Sequence, residues 1–223
     1  MGDAQGSVVG IDGCRAGWFA VVLLRGGTWL FGVFQDVESL WRSYRDAEIL
    51  LIDVPIGLRD RGSTQRQCDM EARRLLGQPR ASSVFPPPLR PSLDYAAREE
   101  ASACNFELSG KRIGVQTWGI APKIREIDQF LRANPDARRK TREVHPEVLF
   151  WSLNDMRAVA HNKKKRVGFE ERLGVLRRHF AATDELVDEA LSTFRRKQVA
   201  RDDILDALAA AVTSFLGCDR LAK

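Results

Sequence analysis

The connections between the first three apolar runs are too short for the chain to cross over a sheet. Residues 8–12 (VVGID) are followed after five residues by 18–24 (WFAVVLL), and 29–34 (WLFGVF) follow the Arg25-Gly26-Gly27 turn. A parallel crossover needs roughly a dozen residues or more, so these runs pair antiparallel as a three-stranded meander. Residues 36–44 then read as a helix, with Val37, Leu40, Trp41 and Tyr44 on one face. The helix feeds residues 48–53 (EILLID), a nearly all-apolar run stopped by Pro55, which is the pattern of a strand covered on both faces. A right-handed crossover through the helix lets this fourth strand lie parallel to the first. Both then end on one edge of the sheet, and both end in Ile-Asp: Ile11-Asp12 and Ile52-Asp53. With neighbouring strands about 4.8 Å apart, two carboxylates at matching ends can share one cation.

Further along, Ser63 or Thr64 is placed to cap a helix that runs through Leu76 and closes at Gly77. The stretch ASSVFPPPLRP after it excludes regular structure. Residues 92–106 and 122–133 read as helices, the second with Pro122 in its first turn. Residues 142–145 (REVH) read as a fifth strand, stopped by Pro146, which opens a short helix through Trp151. Helical patterns then cover 169–180, 184–194 and 201–216. No repeat or linker divides the chain, so its 223 residues are read as a single domain.

Composition narrows the class. With 44% hydrophobic and 29% charged residues this is an ordinary globular chain. The longest apolar clusters, at 21–24 and 49–52, are strand-sized, far below the roughly 20 residues of a membrane span. The N-terminus lacks a basic region followed by an apolar one, and Gly6 stands where an acylation signal wants Ser or Thr, so a cytosolic location is expected. Cys14, Cys68, Cys104 and Cys218 show no CxxC spacing, which suggests neither a zinc site nor a disulfide framework. Net charge is only +5, but basic runs at 138–140, 163–166 and 195–197 gather in the second half. Such runs are either solvated helix ends and loops or contacts for phosphates.

The last helix carries the remaining acids. Ile204, Leu208, Ala211, Val212 and Phe215 form one face, while Asp203 and Asp206 lie away from it beside a strip of small residues, Ala207, Ala210 and Ser214. Small residues permit close approach. If the strip lies on the sheet edge, the two carboxylates, one turn apart, both face Asp12 and Asp53. Duller readings exist for each: Asp202 and Asp203 as caps at a helix start, Asp12 as a turn residue, Asp53 as a strand end. Taken together, however, two desolvated strand-end charges demand compensation. Clustered carboxylates without Cys or His are hard oxygen ligands, which suits Mg²⁺ or Mn²⁺. Two such ions about 4 Å apart can activate water and stabilise an oxygen leaving a phosphodiester, so hydrolytic phosphoryl transfer is the reaction class expected.

VVGIDGCRAGW, LLIDVPIGL, the RxxCDMEARRLLG segment followed by SVFPPP, KIREID, EVHPEVLFW and DDILDALAAA together resemble the DUF429 family, predicted nucleases of the ribonuclease H-like fold. The resemblance covers about residues 8–215. It implies an α/β fold with a five-stranded mixed sheet, three antiparallel strands and then two parallel to the first, flanked by helices. It also implies a metal-dependent nuclease acting on RNA or DNA, with Asp12, Asp53, Asp203 and Asp206 as catalytic metal ligands. DILDALAAA is similar to the last helix of Holliday-junction resolvases, where two acids three apart precede an alanine, here Ala207. Relative to ribonuclease H itself the chain has a long helical insertion at about 62–141, and no acid within the meander other than Asp12.

Glu147 and His145 follow the fifth strand, as a further catalytic ligand and a proton carrier, or as parts of a strand-to-helix corner. Lys123, Arg66 and Arg15 are candidate phosphate contacts, or partners of a nearby acid such as Asp69. Two other functions use the same strand order. One is a nucleotide-binding phosphotransferase of the actin-like or sugar-kinase type, to which VVGIDGCRAG bears a loose resemblance. The other is a non-catalytic nucleic-acid-binding module.

Overall fold

The computed structural model describes residues 6–221, with side chains as far as Gly217. The expectations for the extreme N-terminus and for the Cys218 side chain therefore fall outside the described residues. In chain order, β1 (Ser7–Cys14), β2 (Gly17–Leu24) and β3 (Trp29–Phe34) precede α1 (Val37–Tyr44) and β4 (Ile49–Ile52). Then come α2 (Gln67–Leu76), α3 (Arg98–Ser109), α4 (Val115–Gly119), α5 (Ala121–Ala133) and α6 (Pro135–Lys140). The chain closes with β5 (Thr141–Glu143), α7 (Pro146–Leu153), α8 (Arg166–Arg177), α9 (Thr183–Thr193) and α10 (Arg201–Leu221). It divides into two compact units, one of Met1–Asp53 with Asn134–Lys223, the other of Val54–Ala133.

The first unit holds one five-stranded sheet in the order β3-β2-β1-β4-β5. β1, β2 and β3 pair antiparallel, and β4 and β5 join parallel, as the loop lengths require. The crossover helix α1 starts where Asp36 accepts the Ser39 N–H at 2.7 Å, an N-cap bond that stops the chain continuing as strand.

Which face each strand residue takes follows from the two-residue period. Val8, Phe19, Val21, Leu23 and Leu51 lie in one buried core with the body of α10. Gly10 stands opposite Val21 on β2 and Leu51 on β4, so Val8, Gly10 and Asp12 share that face of β1. A Cβ on Gly10 would sit 2.1 Å from Ala207 O and 2.3 Å from Ala211 N. Only glycine lets the helix backbone come this close to the strand, and the alanines of α10 are the other half of that contact. Of the small-residue strip expected at the sheet edge, Ala207 and Ala210 lie instead over Gly10 in the middle of the central strand, joined by Ala211 from the face read as apolar.

The second unit is helical. α2 begins at Gln67, later than a Ser63 or Thr64 cap implies, because the Ser63 hydroxyl is used in a turn, accepting the Gln65 N–H at 3.1 Å. It ends at Gly77 as expected, whose N–H reaches Arg73 O. The helix anticipated at 92–106 is split. Residues 90–94 form a 3₁₀ turn and α3 starts only at Arg98. Ser92 is pulled out of the helix by Asn105, whose buried Oδ1 accepts both the Leu89 N–H (2.8 Å) and the Ser92 hydroxyl (3.1 Å).

Candidate metal centre

The β1–β4 register pairs Ile11 with Ile52, and the Asp53 N–H donates to Ile11 O at 3.0 Å. Asp12 and Asp53 therefore follow the last β1–β4 pair side by side, although β1 does not end at Asp12 as expected but runs on to Cys14, with Asp12 opposite Phe19 on β2. Each is two residues beyond a position, Gly10 or Leu51, that faces α10, so each is directed to the same side. α10 runs against β1, with Ala207 and Ala211 beside Gly10 and its first turns toward the strand's C-terminal end. A backbone bond from Ala16 N–H to Gln198 O (3.1 Å) ties the β1–β2 turn to the segment before α10. This brings Asp203 and Asp206 to Asp12 and Asp53. Asp12 is 7% exposed and Asp206 2%, while Asp53 and Asp203 are half-buried.

Such crowding has an electrostatic signature. Burial, then the charges of Asp53 and Asp206, hold the Asp12 carboxyl well above its usual range. Burial and the neighbouring Asp206 push Asp53 up to about 7, partly offset by Lys163. Asp203 is pushed up to about 6 by burial, against the bond its Oδ2 accepts from the Ala200 N–H at 2.8 Å. Asp206 is raised too, first by burial, with Lys163 opposing. The capping role expected for Asp202 or Asp203 is taken by Asp203, and Asp202 turns to Lys163 at 3.5 Å.

Lys163 is the residue that sequence reasoning missed, because it stands in a lysine run indistinguishable from a solvated loop. Its Nζ donates to Asp206 Oδ2 at 2.6 Å. Burial alone lowers its affinity for the proton, but Asp206, Asp12 and Asp202 more than offset this and hold the ammonium firmly charged. The other oxygen, Asp206 Oδ1, is buried and has no hydrogen-bond partner. An orphaned carboxylate oxygen among further acids, with one ammonium for compensation, is a donor set that fits a hard divalent cation. Among the described residues no group of three or more Asp, Glu, His or Cys side chains is positioned, as it stands, to hold a metal ion.

The remaining candidates have varied surroundings. Glu147 is buried, and its Oε1 accepts from Arg172 Nη2 at 2.5 Å. It is close enough to Asp53 to raise that carboxyl. His145 is the half-buried residue at the N-cap position of α7. Arg15 is exposed in the β1–β2 turn. Arg66 and Lys123 belong to the second unit. There Arg66 grips Asp69 through two bonds of 2.9 and 2.7 Å and donates to Ile56 O at 3.0 Å, the acid-pairing alternative open from sequence. Lys123 is half-buried on α5.

The raised carboxyls predict an unusual pH dependence. A carboxyl that binds its proton more tightly folded than unfolded stabilises the fold most below about pH 4, and this is lost as pH rises through its folded value. For Asp203 and Asp53 that window is about pH 4 to 7. Lys163 is shifted up as well, so its contribution persists throughout this window. In chelator-treated protein Asp53→Asn should therefore raise the melting temperature at pH 8 by about 5 °C, for a relief on the order of 2 kcal/mol, and change it little at pH 4. Equal destabilisation at both pH values would show that Asp53 is not repelled by its neighbours.

Fold and site together define an α/β protein whose mixed sheet has the ribonuclease H-like strand order and whose strand ends and closing helix gather acids at one edge. The chain belongs to the family described as "Protein of unknown function (DUF429)", whose model matches residues 10–216. No curated protein and no solved structure matches it.

Proposed function

We propose that this chain is a metal-dependent nuclease, hydrolysing phosphodiester bonds of RNA or DNA. The observation that carries the reading is the orphaned, buried Asp206 Oδ1 within a cluster of acids drawn from both ends of the sequence. Asp12, Asp53, Asp203 and Asp206 would hold Mg²⁺ or Mn²⁺, which when bound supplies water activation and charge stabilisation at the leaving oxygen. The chain's own residues do the rest. The backbones of Asp12 and Asp53 are fixed by the strand register, and that of Asp206 by the close α10–β1 contact, so binding calls for side-chain adjustment on a fixed frame. Lys164, Lys165 and Arg166, exposed beside Lys163, supply positive charge for a nucleic-acid backbone. A cytoplasmic location goes with this reading, as nucleic acid is available there.

The test is cleavage of RNA, DNA, hybrid and branched substrates with Mn²⁺. Wild type should cut at least one of them, and Asp12→Asn and Asp206→Asn should each lose activity ~10³-fold, about 4 kcal/mol of transition-state stabilisation. Absence of cleavage across the panel, with Asp12→Asn binding nucleic acid as wild type does, would leave a non-catalytic binding module.

A further inference from the structure

Lys163 is delivered to the acids by a loop that the protein holds from several sides. Glu171 accepts the Ala160 and His161 N–H groups at 2.7 and 2.8 Å through its two oxygens. Arg172, 1% exposed, donates to His161 O at 2.9 Å. Gly168 lets the loop backbone lie on α8, since a Cβ there would come within 2.0 Å of Asn162 O. Asn162 closes the turn, its O accepting the Lys165 N–H and its Oδ1 the Lys164 N–H, at 3.0 and 2.9 Å. A side chain whose backbone is fixed this thoroughly is not a surface lysine that happened to fold inward.

The ammonium engages one oxygen of Asp206 and leaves the other without a hydrogen bond. A divalent ion placed on the oxygen that already accepts from the ammonium meets the repulsion of a second cation a few ångströms away, so the other oxygen is the favoured ligand. We propose that Lys163 permanently fills one of the two cation positions offered by the acid cluster. The protein then takes up a single divalent ion, through Asp12, Asp53, Asp203 and the Asp206 oxygen that Lys163 leaves. The inference rests on the metal-dependent reading but goes further, since that reading is equally compatible with two ions.

Calorimetric titration and equilibrium dialysis with Mn²⁺ test it. Wild type should bind one Mn²⁺ per chain, Lys163→Arg one, and Lys163→Met or Lys163→Gln two. Two ions in wild type would overturn the inference while leaving the metal-dependent reading intact, and this needs no variant to fold. One ion in both wild type and a folded Lys163→Met or Lys163→Gln protein would also overturn it. No Mn²⁺ bound at millimolar concentration by any of the proteins would end both.

Discussion

Gly10→Ala should lower the stability of this protein by about 4 kcal/mol or more, a loss of roughly 10 °C or more in melting temperature for a chain this size. Ordinary overpacking costs about 1–3 kcal/mol because side chains can swing aside. At Gly10 the three atoms nearest the new methyl are all backbone: Ala207 O at 2.1 Å, Ala211 N at 2.3 Å and Ala210 C at 2.9 Å. The relief available is to push α10 away from β1, which moves Asp203 and Asp206 back from Asp12. The molecules that still fold should therefore respond weakly to Mn²⁺. Gly174→Ala is the control. It lies inside α8 with nothing within 4 Å of an added methyl, and alanine there should stabilise by up to about 1 kcal/mol. A Gly10→Ala protein melting within about 2 °C of wild type would mean that α10 does not lie on β1 as described.

The contact at Gly10 also explains how much of the site was legible in the sequence. The strand order follows from connection lengths, and the pairing of Asp12 with Asp53 from the Ile-Asp that closes each of the two apolar runs, even though β1 itself continues to Cys14. Asp203 and Asp206 were readable because a strip of small residues beside two acids implies a close neighbour. Lys163 was not. Its partner Asp206 is 43 positions away, and its direction is set by bonds from Glu171 and Arg172 to the loop backbone, which no local pattern records. The one available hint was electrostatic: buried acids in excess require cations, and some of these come from the chain itself. Ser92 shows the same limit, since its helical spacing was overruled by a buried asparagine in α3.

Arg172→Met should cost about 3–5 kcal/mol, because it leaves the Glu147 carboxylate buried without its guanidinium and next to acids that already repel one another. Arg172 also stacks over Phe150, 5.3 Å from the ring centroid, and donates to His161 O and Gly168 O at 2.9 and 3.1 Å. Its removal therefore loosens α7, α8 and the lysine loop together. The double variant Arg172→Met/Glu147→Gln removes the stranded charge and should recover at least half of the lost stability in a denaturant titration. No recovery would mean that the loss comes from packing and loop contacts alone, not from the buried charge. The repaired fold still lacks the bond to His161 O. With Lys163 held less firmly against Asp206, its Mn²⁺ stoichiometry should shift toward that of Lys163→Met, which separates the stabilising role of Arg172 from its role in positioning the lysine.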